Sequence, residues 1–214
     1  MKRGLYRVRG KVTRVEKEEP PRLSAGSIGA RLTGMASKPP DGAKLYEAAL
    51  NHLARYAATE TGLARVLVRK LERWGRLYAE EDADGEAAAA EVRRAKAAIP
   101  GVITRLREAG VLNDTAFAAS RAKRLTRQGK SRRATLAHLM AKGVAAPVLV
   151  EDPQRELAAA CAYLRRKRAG PFGEAPELKV LAAMARGGFT QEMARRALRL
   201  DREEAEALIK GLQE

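Results

Sequence analysis

From Asp41 onward, apolar residues recur three and four positions apart, which is the period of an amphipathic α-helix. Three stretches repeat one pattern, in which two apolar residues stand seven and four positions before a glycine. The triplets are Val68, Leu71 and Gly75, then Leu136, Leu139 and Gly143, and finally Leu181, Met184 and Gly188. Apolar residues at this spacing share a helix face, and glycine readily adopts the left-handed conformation that ends a helix. The pattern predicts an all-α protein built from glycine-terminated repeats.

Flanking helical segments extend each stretch to a three-helix bundle of about 45–50 residues, which we call a module. The modules are predicted at residues 41–110, 111–151 and 152–214. The predicted helices cover 44–57, 61–74 and 100–109 in module 1, a segment from 114, 131–142 and a short piece at 147–151 in module 2, and a segment from 152, 176–186 and 190–199 in module 3. Because small modules bury their faces against their neighbours, we expect an elongated, curved molecule.

Local signals mark the helix starts and the inward faces. The predicted N-caps are Thr61, Asp114, Ser131 and Asp152, and Pro176 suits a first turn. The residues expected to face inward are Leu45, Ala49, Leu53 and Tyr56 in module 1, Phe117, Ala118 and Leu125 in module 2, and Leu157, Cys161 and Leu164 in module 3.

Two segments depart from the repeat. Residues 1–40 are rich in Pro, Gly, Ser, Lys and Arg, and we predict a disordered basic arm, with a short strand between Leu5 and Val15 as an alternative. The arm is either a solvated tail or a weak electrostatic tether to nucleic acid. Residues 76–98 form an acidic and Ala-rich insertion in module 1.

Part of this insertion has the spacing of a calcium loop. The matching residues are Glu80, Asp82, Asp84, Gly85 and Glu91, at loop positions 1, 3, 5, 6 and 12. However, Glu80 replaces the usual first aspartate, and Ala87 replaces the usual apolar anchor. We therefore interpret the segment as a solvated acidic insertion and expect no metal.

The charge composition indicates a polyanionic partner. The chain has 42 Lys and Arg against 26 Asp and Glu, a net charge of +16, which argues against an ordinary metabolic enzyme. The single cysteine, Cys161, cannot form an internal disulfide, so we expect a cytoplasmic location. No apolar stretch approaches the roughly 18–20 residues of a membrane span or follows the basic N-terminus, so we expect neither membrane anchoring nor secretion.

Residues able to carry chemistry are few. His52 and His138 lie on separate predicted helices without a ligand partner at i+4, and Cys161 occupies an inward position. No glycine-rich phosphate-binding loop is present in the sequence. We expect no enzyme activity, no cofactor and no metal site.

Two clusters of cations are the candidate site. The first contains Arg121, Lys123, Arg124, Arg127, Lys130, Arg132 and Arg133, without opposing carboxylates. It is either a solvated face or a contact for a polyanion or an acidic protein. The second contains Arg165, Arg166, Lys167 and Arg168. These end a predicted helix, where cations also favour the helix dipole, so a structural and a functional role both stay open.

The segment Leu106–Ala118, LREAGVLNDTAFA, resembles the RecX family. Later parts of the family pattern are a basic helix, here Arg121–Arg127, a Gly-Lys turn, here at Gly129, and a helix ending in Lys-Gly-Val, here at Lys142. The likeness is close over 100–150, weaker over 43–75 and 153–200, and absent from 1–40.

The resemblance implies tandem three-helix modules and a regulator of recombination, DNA repair and the SOS response. Family members bind in the groove of the RecA filament on DNA and suppress its ATP hydrolysis, strand exchange and stimulation of LexA self-cleavage. The resemblance also makes the basic residues of the first cluster the candidates for contact with RecA. We further expect a monomer whose direct binding to DNA is weak and salt-sensitive. Asn113 and Asp114 of the motif are expected to cap a helix.

Two other functions are considered from the sequence. In the first, a module is a helix-turn-helix and 131–142 is the recognition helix, although beyond Arg132 and Arg133 it offers only Thr135 and His138 for base contacts. DNA binding without sequence preference belongs to the same alternative. The second, a hydrolase, lacks an assembled site.

Overall fold

The computed structural model describes residues 39–82 and 85–213, with the side chains of all but 80–82. The predicted arm therefore lies outside the described residues apart from Pro39 and Pro40, and so does the alternative strand. Of the calcium-loop residues, Asp84 and the side chains of Glu80 and Asp82 also lie outside.

The described residues form ten α-helices and one 3-10 helix, with no strand among them, which confirms the all-α prediction. The α-helices are α1 (Gly42–Leu53), α2 (Glu60–Asp82), α3 (Gly85–Lys96), α4 (Ile99–Glu108), α5 (Asp114–Arg127), α6 (Arg132–Ala141), α7 (Pro153–Lys167), α8 (Glu177–Arg186), α9 (Gln191–Arg199) and α10 (Arg202–Gly211). The 3-10 helix is Gly170–Phe172, between α7 and α8. No described helix has the length and hydrophobicity that a membrane crossing requires.

A leucine-rich core packs α1, α2 and α4 together. Its fully buried residues include Leu45, Ala49, Leu63, Leu67 and Leu106. The prediction for Tyr56 is wrong, because α1 ends at Leu53 and the tyrosine beyond it is 62% exposed. Leu53 itself is half-buried against this core.

Helix α2 continues past Gly75, so the predicted helix end at this glycine is wrong. Helix α3 packs antiparallel on α2, with Val92 facing Gly75 and Lys96 Nζ 2.8 Å from Glu72 Oε1. A Cβ atom on Gly75 would lie 2.5 Å from Val92 Cγ2. The glycine thus allows close helix packing, and Ala88 in the segment predicted to be solvated is buried.

Asp114 of α5 and Lys142, just after α6, hold the N-terminus of α2 in place. Thr59 Oγ1 accepts a hydrogen bond from Gly62 N at 2.9 Å and donates one to Lys142 O at 2.6 Å. Asp114 Oδ1 accepts from Glu60 N at 2.8 Å, although Asp114 is the first residue of α5. Two helix starts and one helix end therefore meet at this point.

These contacts correct two predicted caps. Thr61 lies inside the first turn of α2, and Asp114 caps α2 while Asn113 caps α5 by accepting from Ala116 N. The cap at Ser131 is confirmed, since its Oγ accepts from Ala134 N at 3.1 Å.

Helix α6 ends as predicted, at a glycine with a left-handed conformation, Gly143, where φ is +89°. The short piece predicted at 147–151 is not helical. Phe117 and Ala118, expected inside, are half-buried, while Leu125 is buried.

A second core surrounds α7. Asp152 caps this helix by accepting from Gln154 N and Arg155 N, as predicted, and every residue from Leu157 to Leu164 is buried, Cys161 included. Helices α9 and α10 and the 3-10 helix pack around α7. The sequence analysis missed α10 as a helix, and Pro176 immediately precedes α8 instead of lying in its first turn.

Candidate polyanion-binding surface

The first predicted cluster lies on α5, on the turn after it and at the start of α6. Leu125 is buried and fixes the inner side of α5. Arg121 is half-buried, and the exposed cations are Lys123, Arg124, Arg127, Lys130, Arg132 and Arg133. Packing of one apolar side of α5 therefore turns most of the cluster toward solvent.

The second cluster, Arg165–Arg168, is exposed at the end of α7 and adjoins the first. Arg166 Nη1 donates to Gln128 O, the carbonyl just after α5, at 2.7 Å. A Cβ atom on Gly129 would lie 2.5 Å from Tyr163 N, so this turn lies directly on the α7 backbone. The two clusters form one surface of eleven cations, which we call the α5–α7 cationic surface.

No carboxylate of the described residues lies within ion-pairing distance of these eleven cations. The ion pairs among those residues are Arg94 with Glu91, Lys96 with Glu72, Arg107 with Glu60, and Arg202 with Glu206. Because none of these cations is paired with a described carboxylate, the surface keeps a positive potential, which attracts anions.

Four of the eleven cations also form hydrogen bonds within the fold, and the bond from Arg121 to His138 is described below. Arg127 Nε donates to Leu212 O at 2.8 Å, and Arg132 donates to Leu149 O from Nη2 at 3.1 Å and from Nε at 3.3 Å. Arg166 binds Gln128 O, as described above. The side chains that make no hydrogen bond or ion pair with described residues are Lys123, Arg124, Lys130, Arg133, Arg165, Lys167 and Arg168. These seven are the side chains available to a ligand.

His138 is a neutral partner of this surface. Burial lowers the pKa of His138, and the charges of Arg121, Lys142 and Lys130 lower it further. Arg121 Nε donates to His138 Nε2 at 3.1 Å, which requires that nitrogen to be unprotonated. The imidazole therefore orients Arg121 and contributes no charge at neutral pH.

A cleft beside the surface contains the unusual polar groups of α6 and α7. Its lining includes Lys123, Thr135 and Glu156. Thr135 Oγ1 is buried without a hydrogen-bond partner among the described residues. Burial raises the pKa of Glu156, although its Oε2 accepts from Arg132 N at 2.9 Å and the Arg132 charge opposes the shift.

The proposed role of α6 as a recognition helix finds little support in these positions. Thr135 is 1% exposed and cannot reach a base edge. His138 is bonded to Arg121, and the Arg132 side chain is bonded to Leu149 O. Of the four side chains considered for base contacts, Arg133 alone is both exposed and unbonded within the described chain.

The other residues considered for chemistry lie apart. Cys161 is fully buried, and burial raises the pKa of its thiol to about 11, so the thiol is protonated at neutral pH. His52 lies in the last turn of α1, and its ring faces the ring of Tyr56, just beyond the end of that helix, with ring centroids 5.3 Å apart. Within 39–82 and 85–213, no three His, Cys, Asp or Glu side chains are placed to hold a metal.

One group of exposed cations was missed from the sequence. Arg195, Arg196 and Arg199 lie on α9 opposite the buried Ala194 and Ala197. The sequence does contain a signal for this face, because Ala194 and Ala197 are three positions apart and the arginines occupy the positions between and after them. The signal is weak because alanine is common on every helix face of this chain.

Comparison with known proteins gives two similar chains. "Regulatory protein RecX" of Myxococcus xanthus is 34% identical over 166 residues, which cover 72% of this chain and 83% of that protein. "Regulatory protein RecX" of Agrobacterium fabrum is 32% identical over 105 residues, which cover 46% of this chain and 57% of that protein. Both relatives are named as regulatory proteins. No family model and no solved structure matches the chain.

Proposed function

The chain belongs to the RecX family, and we propose from this that it is a non-enzymatic negative regulator of RecA. In this proposal it binds in the groove of the RecA filament on DNA and suppresses ATP hydrolysis, strand exchange and LexA self-cleavage. It acts as a monomer in the cytoplasm, and it also binds DNA directly, weakly and in a salt-sensitive manner. The three modules predicted from the sequence would lie along neighbouring RecA protomers.

One observation carries the proposal: the α5–α7 cationic surface joins two clusters, and none of its eleven cations forms an ion pair with a carboxylate of the described residues. A filament groove that exposes phosphates and acidic protein side chains is electrostatically complementary to such a surface. Charge complementarity of this kind raises the association rate and selects the partner.

The mechanism is occupation of the groove rather than catalysis. Bound across protomers, the chain would hinder the rearrangements that accompany ATP hydrolysis and the addition of further protomers. In support, the one cysteine has a protonated, buried thiol, and His138 is neutral and bonded to Arg121. Neither group is placed to act as a nucleophile or a general base.

The surface divides into two kinds of residue with different expected effects. Lys123 and Arg124 are exposed side chains without a described partner, so changing them should alter binding and leave folding intact. Arg127 also bonds Leu212 O, so changing it should affect both binding and stability. A test of the proposal must therefore use the first kind.

The test is charge reversal of adjacent exposed cations. Lys123→Glu with Arg124→Glu should weaken binding to RecA filaments by at least about 10-fold, because it replaces two attractions with two repulsions. The matched control is Arg69→Glu with Lys70→Glu, an adjacent exposed pair on α2 that undergoes the same change of charge. Filament co-sedimentation at near-physiological salt gives the affinity, and DNA-dependent ATP hydrolysis by RecA gives the inhibition.

The expected result is loss of binding and inhibition in the α5 variant and much smaller losses in the α2 variant. Inhibition should also require much less than one molecule per RecA protomer. Equal losses in the two variants would reduce the effect to net charge, and full inhibition by the α5 variant would remove this surface from the mechanism.

A further inference from the structure

Helices α8 and α9 form a helix pair joined by a four-residue turn, residues 187–190. Gly188 has a φ of +85°, and Phe189 is buried next to it. Thr190 Oγ1 accepts from Met193 N at 3.2 Å and so caps α9. A short glycine turn, a buried apolar residue and a capped second helix are the local features of a helix-turn-helix.

The turn is fixed from outside by α6. Ser131 Oγ donates to Gly187 O at 2.7 Å, and a Cβ atom on Gly188 would lie 2.7 Å from Ser131 Oγ and 3.4 Å from Arg133 Cβ. The turn that precedes α9 is therefore held against the start of α6, and the exposed Arg133 lies beside this turn.

Packing turns one face of α9 outward. Ala194 and Ala197 are buried against the core around α7, which leaves five exposed side chains on the opposite side. These are Gln191, Glu192, Arg195, Arg196 and Arg199, and together with Leu200 they line an open depression. None of the three arginines forms an ion pair with a described carboxylate.

The chemistry of this face fits base edges in duplex DNA. Arginine donates two hydrogen bonds to guanine O6 and N7, glutamine pairs with adenine N6 and N7, and glutamate accepts from cytosine N4. An α-helix with its side chains is about 10–12 Å across, which fits a major groove about 12 Å wide, and the nine residues of α9 give a helix about 13 Å long. The cations beside the turn, Arg133 and the exposed Arg186, suit phosphates at the groove edge.

We propose that α8 and α9 form a helix-turn-helix that places α9 in the major groove of duplex DNA. Arg195 and Arg199 contact guanine edges, and Gln191 contacts adenine. This duplex site goes beyond the proposed binding to RecA filaments. It also differs from the α6 recognition helix considered from the sequence, where three of the four side chains considered for base contacts are buried or already bonded.

The first experiment compares duplex and single-stranded DNA by fluorescence anisotropy with the full chain. Arg195→Ala with Arg199→Ala should weaken binding to a 20-base-pair duplex by at least about 10-fold. Its matched control is Arg69→Ala with Arg73→Ala, two exposed arginines on α2 with the same spacing and the same loss of charge. The control should weaken duplex binding by no more than about 3-fold, and the two pairs should affect a single strand of the same length equally.

The second experiment tests the groove. Replacing guanine by 7-deazaguanine removes a major-groove acceptor without changing phosphate charge, and it should weaken binding of the unmodified chain about 3- to 10-fold. The α9 variant should show no further loss on this DNA. Gln191→Ala, which is neutral, should lower the preference for adenine-containing sites and leave the salt dependence unchanged.

Three results would overturn the proposal: equal duplex losses in the α9 and α2 variants, no effect of 7-deazaguanine, or an α9 variant that loses RecA-filament binding while its duplex affinity is unchanged. The last result would assign this face to a protein partner. Thermal melting of each variant identifies a general loss of folding, and Gln191→Ala provides a second, charge-neutral test.

Discussion

Asp114→Ala tests the connection between α2 and α5. The change removes the carboxylate that accepts from Glu60 N at 2.8 Å, and it leaves Thr59 as the described cap of α2. A cap side chain contributes about 0.5–2 kcal/mol, and a carboxylate at a helix N-terminus also interacts favourably with the helix dipole. We expect the free energy of unfolding to fall by about 1–2 kcal/mol.

Urea unfolding followed by circular dichroism measures this loss. Thermal unfolding is the second measurement. For a chain of this size, a loss of 1 kcal/mol lowers the melting temperature by about 2–4 °C, so we expect a decrease of roughly 2–8 °C. Hydrogen exchange gives the location, and amides in the first turn of α2 should exchange faster although the substitution lies on α5.

Asp41→Ala is the matched control, because Asp41 caps its own helix by accepting from Lys44 N at 2.9 Å. Its effect on exchange should be confined to α1. If Asp114→Ala leaves the α2 amides unchanged and speeds exchange in α5 alone, the carboxylate acts on its own helix and the cross-helix cap is refuted.

Three further predictions concern single positions. Gly75→Ala should lower the free energy of unfolding in urea by about 1–3 kcal/mol, because the added Cβ would lie 2.5 Å from Val92 Cγ2. Adding Val92→Ala to the same chain should recover part of this loss. Unchanged stability of the single variant would contradict the close contact. The pKa of His138 is lowered by burial and then by Arg121, so the folded chain binds a proton less readily than the unfolded chain. The contribution of His138 to stability should be complete above the unfolded pKa of about 6.5 and should decrease as the pH falls below that value. His138→Gln should reduce the slope of the urea midpoint against pH in this range. An unaltered slope would assign the pH dependence to other groups. Cys161, with a pKa raised to about 11, should react with a thiol reagent in urea and stay unreacted in the folded chain at pH 8; rapid labelling of the folded chain would show that the thiol is accessible.

The features that could be predicted depend on residues close in sequence. Gly143 and Gly188 both adopt a positive φ at a helix end, and Asp152 caps α7 with Pro153 behind it. Each glycine lies within seven residues of the apolar pair that precedes it, and the capping aspartate directly precedes the proline. Such signals depend on neighbouring residues and not on tertiary contacts, so they can be recognised in a single sequence.

The features that failed depend on a distant partner. Gly75 has the same local spacing as the other two glycines, but Val92, on a helix that was not predicted, makes it a packing position. The Asp114 carboxylate is used by Glu60, 54 residues earlier. Local patterns carry no information about which remote backbone group will need an acceptor.

The candidate surface shows the same division. The positions of its cations are visible in the sequence, and so is the absence of acidic residues between Arg121 and Arg133. The separate roles of Arg124 and Arg127 are not, because Leu212 O, the acceptor for Arg127, is 85 residues away. The exposed arginines of α9 were missed because their burial pattern rests on alanines, which give a weak hydrophobic signal.

The continuous burial of α7 has a consequence for its last four cations. A helix buried on one side can rotate about its axis at moderate cost, but the eight residues from Leu157 to Leu164 are enclosed on every side. The rotational register of the helix is therefore locked, and the directions in which the backbone presents Arg165–Arg168 are set before any ligand arrives. Preorganisation of this kind lowers the entropy lost on association.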